Sequence, residues 1–138
     1  MELADTSAWT TRHRSAAVRR EFDQRLAGGL IATCPPVVFE LLRLTQDATS
    51  LAARRDSLDA LRSVSTGERV WRRALDVFEA FAARGPLHHR QVGLADLLIA
   101  AAAERAEMPV LHYDRHFELI ASVTGQEVRA LAPLGSLP

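Results

Sequence analysis

The chain contains no lysine: all 17 of its basic residues are arginine. A phosphate-binding P-loop needs its lysine and a Schiff-base enzyme needs a side-chain amine, so both classes are excluded. Phospho-accepting domains of the receiver and haloacid-dehalogenase types rely on a lysine near the phosphate, and they go with them. Cysteine occurs once, as Cys34, which rules out an internal disulfide and a cysteine-based zinc site and leaves the residue to act as a small buried hydrophobe. The longest apolar run, Leu97 to Ala103, falls far short of the roughly 20 residues that cross a bilayer. The amino terminus lacks the basic and then apolar regions of a signal peptide, so a cytoplasmic protein with no membrane contact is expected. Net charge is also missing, because 17 acids balance the 17 arginines, and bulk electrostatics announce no nucleic-acid partner. Codon bias of a GC-rich genome accounts for the arginines, although the guanidinium fork also grips phosphates bidentately. No HExxH or paired Cys/His spacing accompanies His88, His89 and His112, and no GxSxG elbow surrounds any serine.

What the chain does have is a regular alternation of short extended stretches and amphipathic helices. That alternation predicts an α/β domain, a parallel sheet covered by helices, spanning residues 1–138 as one unit. Strands are expected at Glu2 to Ala4, Leu30 to Thr33, Ser63 to Ser65, Pro109 to His112 and Glu127 to Leu131. Helices are expected at Ala16 to Ala27, Pro36 to Ala48, Leu51 to Arg62, Glu68 to Ala83, Leu94 to Glu107 and Arg115 to Val123. Trp9, Trp71 and Phe78 read as core or dimer-contact aromatics, and Arg54-Arg55 as a solvated helix face.

Four acids occupy positions that suit acids poorly. Asp5 and Asp114 close the apolar lead-ins Glu2-Leu3-Ala4 and Val110-Leu111-His112-Tyr113; Glu40 interrupts Val37-Val38-Phe39-Glu40-Leu41-Leu42; Asp96 opens Asp96-Leu97-Leu98-Ile99-Ala100. Removing a carboxylate from water costs several kcal/mol unless a counter-charge compensates, and a divalent cation is the most compact counter-charge for a group of them. Taken singly, Asp5 fits a turn or cap, Asp96 a first-turn acid and Asp114 an N-cap. Glu40 has no capping role. It shares a face with Val37, Leu41 and Leu44 that should look inward, and needs either a metal or an arginine such as Arg43. In open parallel sheets, ligands bind beyond the carboxyl ends of the strands, where Asp5 and Asp114 fall.

Taken together, Asp5-Thr6-Ser7-Ala8, Val38-Phe39-Glu40-Leu41-Leu42-Arg43, Ala95-Asp96-Leu97-Leu98-Ile99-Ala100 and Val110 through Ala121 make the chain resemble, from end to end, the PIN-domain ribonucleases, specifically the toxin half of the VapBC toxin–antitoxin family. Each string alone is weak; four in this order are specific. The resemblance implies a three-layer α/β/α PIN fold with a five-stranded parallel sheet in the order 3-2-1-4-5. It implies that Asp5, Glu40, Asp96 and Asp114 are the catalytic, metal-binding acids holding Mg²⁺ or Mn²⁺, with Ser7 supporting Asp5 by hydrogen bonds. It further implies an endoribonuclease acting on RNA, with tRNA or another structured RNA as default substrate and a 5′-phosphate and 3′-hydroxyl as products. The implied partners are a VapB-type antitoxin, whose tail covers the pocket, and a second copy in a homodimer. The alternative is a PIN-fold interaction module without catalysis. One departure stands out: many relatives carry a further aspartate two places after the fourth acid, and here that place is His116. The change weakens a second metal position, shifts preference towards Mn²⁺, or matters little.

Overall fold

In the computed structural model of the protein, which describes residues 1–138, four short strands form one parallel sheet: β1 (Glu2–Ala4), β2 (Ile31–Ala32), β3 (Val110–His112) and β4 (Val128–Ala130). Their order is β2-β1-β3-β4, with Leu3 opposite Ala32 on one side and Val110 on the other. The first three strands are buried throughout, as a parallel sheet covered on both faces requires.

The third expected strand, Ser63 to Ser65, is reduced to a single parallel bridge between Thr33 and Ser63. It lies beside β2, so the expected order survives while the strand count falls to four. Two backbone bonds hold the segment, Thr33 N–H to Arg62 O at 2.9 Å and Val64 N–H to Thr33 O at 2.7 Å. Only Val64 is buried there, and a Ser-Val-Ser edge flanked by Arg62 and Thr66 has too little apolar surface to extend the ladder.

Seven α-helices connect the strands: α1 (Thr6–Thr11), α2 (Ala16–Ala27), α3 (Pro35–Arg43), α4 (Ala48–Asp59), α5 (Glu68–Ala83), α6 (Leu94–Arg105) and α7 (Arg115–Thr124). The helix expected to run through Ala48 ends at Arg43, and the next begins three residues before Leu51. Asp47 sets that start by accepting from the Ser50 N–H at 2.8 Å in a reciprocal capping box. The first helix, α1, was not expected from periodicity at all. It is one and a half turns long and starts because Asp5 caps it.

Helix α6 carries the centre of the core. Leu97 through Ala103 are all buried, and the helix packs against α3, α5, α7, β1 and β3. Its run of alanines lets neighbouring backbone approach closely, while Phe22, Phe81 and Phe117 fill the remaining volume at 2% exposure or less. Each such phenylalanine contributes about 1.5–3 kcal/mol of hydrophobic stabilisation.

Candidate active site

Parallel pairing puts the carboxyl ends of β1 and β3 side by side, and the chain leaves each strand directly into a helix capped by an aspartate. Asp5 caps α1 and Asp114 caps α7. Asp5 is 3% exposed. Its Oδ2 accepts from both the Ser7 N–H at 2.9 Å and the Ser7 hydroxyl at 2.6 Å, whereas its Oδ1 is buried without any partner. Ser7 Oγ in turn accepts from the Tyr113 N–H at 2.9 Å, tying the ends of β1 and β3 together.

Around Asp5 stand the other acids. Asp96 lies in the first turn of α6, its side chain 19% exposed, and Oδ2 sits 3.0 Å from His116 Nδ1. Asp114 Oδ1 accepts from the His116 N–H at 3.0 Å and lies 3.5 Å from His116 Nδ1. Asp96, Asp114 and His116 each present one ligand atom, all within 4.8 Å of one another. Asp5 and Glu40 stand outside that tight trio, yet the charges of Asp96 and Glu40 bear on Asp5.

Glu40 is half-buried on α3, with Val37 and Leu41 buried beside it. Leu44, expected on the same inward face, is 64% exposed instead, as the cap residue just past the end of the helix at Arg43. Arg43 is exposed and pairs with no acid, so the local arginine that would have explained Glu40 does not answer it.

Electrostatics reflect this gathering of unanswered acids. Burial pushes the Asp5 carboxyl up to about 6, the Ser7 hydrogen bonds oppose it, and the charges of Asp96 and Glu40 raise it further. Asp96 is likewise raised, first by burial, against the pull of His116 and with the push of Asp114. Burial also drives the Cys34 thiol up to about 12, leaving it an inert core residue.

One contributor to the site escaped sequence reasoning. His112 is fully buried: its Nδ1 accepts from the Asp114 N–H at 3.1 Å, so Nε2 carries the hydrogen and faces Glu118 at 3.1 Å. Burial holds its pKa below the ordinary value, and the neutral ring fixes the backbone that presents Asp114. Arg12 is packed rather than free, its guanidinium 5.0 Å from the ring centres of both Trp9 and Phe22, and Arg54 stacks on Trp9 at 5.4 Å rather than on a solvated face. Arg54 and Trp9 lie far apart in sequence, so no local pattern shows their stacking.

An open parallel sheet here carries acids beyond its carboxyl edge, and the family model described as PIN domain matches residues 3–123. Ribonuclease VapC18 of Mycobacterium tuberculosis is 38% identical over 133 residues, which cover 96% of each chain. Ribonuclease VapC21 of the same species is 38% identical over 137 residues, covering 97% of this chain and 96% of that one. Among solved structures, the DNA-bound VapBC from Salmonella typhimurium matches in fold with a TM-score of 0.72 at 16% identity, over 96% of this chain and 100% of that chain. The chain belongs to the PIN-domain family and, within it, to the VapC ribonucleases, the toxins of VapBC systems.

Proposed function

We propose that this ribonuclease hydrolyses RNA phosphodiesters with a divalent cation, Mg²⁺ or Mn²⁺, held by Asp5, Asp96 and Asp114 with Glu40 beside them. The observation that carries the reading is Asp5 Oδ1, a carboxylate oxygen buried without a partner among other acids. Burying an unpaired carboxylate costs several kcal/mol, and no arginine is near enough to offset it. Oxygen-rich carboxylate sets suit hard cations. Such a cation, when bound, activates water and neutralises charge developing on the phosphate.

The chain's own residues divide the remaining work. Ser7 occupies Oδ2 of Asp5 and leaves Oδ1 without a partner. His112 and Ser7 clamp the backbone of Asp114 and Tyr113. Glu40, half-buried and free of ion pairs, orients the attacking water or adds a ligand. By family resemblance the products are a 5′-phosphate and a 3′-hydroxyl, and the substrate is a structured RNA, with tRNA first.

The partners are a VapB-type antitoxin and a second copy of the chain. VapBC complexes among the structural neighbours support the first. Phe39 on α3, next to Glu40, and Leu44 just past the helix end are 72% and 64% exposed, apolar surface suited to an antitoxin segment covering the pocket. An apolar groove of about 450 Å³ between α5 and α6, lined by Trp71, Leu75, Phe78 and Leu94, supports the second. No helix is long and apolar enough to cross a membrane. Residues 1–138 act as one PIN domain.

Asp96→Asn tests the reading. The variant should fold with unchanged circular dichroism yet lose RNA cleavage that wild type performs with Mg²⁺ or Mn²⁺ and EDTA abolishes. Undiminished cleavage by the variant, or EDTA-resistant cleavage by wild type, would sink it.

A further inference from the structure

We propose that His116 is itself a metal ligand, so that the centre is a mixed carboxylate–imidazole site that prefers Mn²⁺ to Mg²⁺ and takes Co²⁺ more tightly still. The inference rests on the reading that Asp96 and Asp114 hold a cation, and goes beyond it by adding a nitrogen donor.

Spacing is the first argument. Neighbouring donors about 2.1 Å from an octahedral ion stand about 3.0 Å apart. His116 Nδ1 lies 3.0 Å from Asp96 Oδ2 and 3.5 Å from Asp114 Oδ1. The nitrogen is thus spaced from Asp96 as an adjacent ligand of one ion would be, and stands slightly wider from Asp114.

Orientation is the second. The His116 backbone N–H is already bound to Asp114 Oδ1, which fixes the first turn of α7 and brings the ring back over the two aspartates. Nδ1 meets only carboxylate oxygen, whereas a histidine serving as a helix surface residue would turn its ring to water. Its side chain is 31% exposed: without an ion Nδ1–H donates to Asp96 Oδ2, and with one bound the hydrogen would sit on Nε2 so that the Nδ1 lone pair meets the ion.

The third is the buried oxygen of Asp5. Asp5 Oδ1 has no partner, and its carboxyl lies close enough to feel the charge of Asp96, so a fourth protein donor borders the trio. His116 does not answer that oxygen. Its one ring contact is spent on Asp96 and Asp114, so the histidine adds to the donor set without replacing the cation that Asp5 needs.

The donor change alters selectivity by ordinary coordination chemistry. Mg²⁺ favours oxygen and dehydrates reluctantly, whereas an imidazole nitrogen suits first-row transition ions, for which affinity rises from Mn²⁺ to Co²⁺. An aspartate at this position would give an all-oxygen site. With His116 the site gives up one negative charge and gains a donor that Mg²⁺ uses poorly.

Pulsed electron paramagnetic resonance of Mn²⁺ bound to the full chain, paired with calorimetric titration of Mn²⁺ and Mg²⁺, tests the proposal. Wild type should show nitrogen coupling from a coordinated imidazole, and His116→Gln should abolish that coupling while Mn²⁺ still binds. His116→Asp should shift the ratio of Mg²⁺ to Mn²⁺ dissociation constants towards unity by roughly tenfold. Mn²⁺ bound to wild type without nitrogen coupling, or a ratio unchanged in His116→Asp, would overturn the ligand assignment and leave the carboxylate site standing. Failure of wild type to bind either ion would overturn both. The wild-type spectrum needs no variant, so a folding defect in either substitution does not blunt the test.

Discussion

Glu2 and Asp5 stand at the two ends of one short strand, equally buried at 5% and 3% exposure, and their surroundings are opposite. Glu2 meets two guanidinium groups: Arg25 at 2.6 Å from α2, and Arg129 through two bonds at 2.7 and 2.8 Å from β4. Burial pushes Glu2 upward, but the hydrogen bonds and charges of Arg129 and Arg25 outweigh it and hold the carboxyl below its ordinary value. Asp5 meets a serine and other acids, and is pushed up to about 6. Burial of an acid therefore identifies no site by itself; burial without a counter-charge does. Glu2 staples two helical and strand elements to β1, while Asp5 keeps an unfilled demand for positive charge.

The largest effect that separates the two positions is on catalysis. Asp5→Asn should lower RNA cleavage by about 10²-fold or more, the scale set by losing several kcal/mol of metal-assisted stabilisation. Glu2→Gln, assayed where it is folded, should cleave at near wild-type rate, and initial rates on one RNA would compare them. Stability should respond the other way. Glu2→Ala leaves Arg25 and Arg129 facing a buried gap and should cost about 3 kcal/mol in urea unfolding, less than a fully buried pair because both arginines reach solvent.

Next in size is a pH dependence of opposite sign at the two ends of β1. Without metal, the folded chain holds the Asp5 proton to about 6, above its ordinary 3.8. The folded state then binds more protons than the unfolded across that window, so stability falls as pH rises from 3.8 to 6 and levels off above, a loss of roughly 3 kcal/mol. Asp5→Asn should remove that fall. Glu2 is held below its ordinary 4.5, so its contribution is complete above that value and is lost as pH drops through the folded one. Urea titrations of wild type and both variants between pH 3 and pH 8 read the two slopes. The smallest effect belongs to Ser7→Ala, which removes the hydroxyl bond to Asp5 and the acceptor for Tyr113 N–H. It should cost about 1–2 kcal/mol and weaken metal binding modestly.

The sequence is legible where one segment carries the whole signal. Helices α2 and α5 fall at the expected residues because amphipathic spacing and the stops at Gly28 and Gly85 lie within each segment. Asp5 and Asp114 cap the helices that follow β1 and β3, and Asp96 sits in the first turn of α6, since strand ends and helix starts are local events. What stays hidden depends on distance. Glu2 reads as an ordinary strand residue because its partners are 23 and 127 residues away. The expected strand at Ser63-Val64-Ser65 is only a bridge, because its place at the sheet edge, which its own residues do not reveal, adds to its scant apolar surface in limiting how far it pairs. His116 reads only as a missing aspartate until Asp96, 20 residues earlier, is seen against its ring.

Thermal unfolding with and without Mn²⁺ at neutral pH, on wild type, Asp5→Asn and Glu2→Gln, bears most directly on the claim that Asp5 is buried for a cation. A ligand that binds only the folded chain raises its stability in proportion to the logarithm of concentration over Kd. The account predicts that Mn²⁺ raises the melting temperature of wild type and of Glu2→Gln alike, and leaves Asp5→Asn nearly unmoved. A full metal-induced rise in Asp5→Asn, or none in wild type, would contradict it.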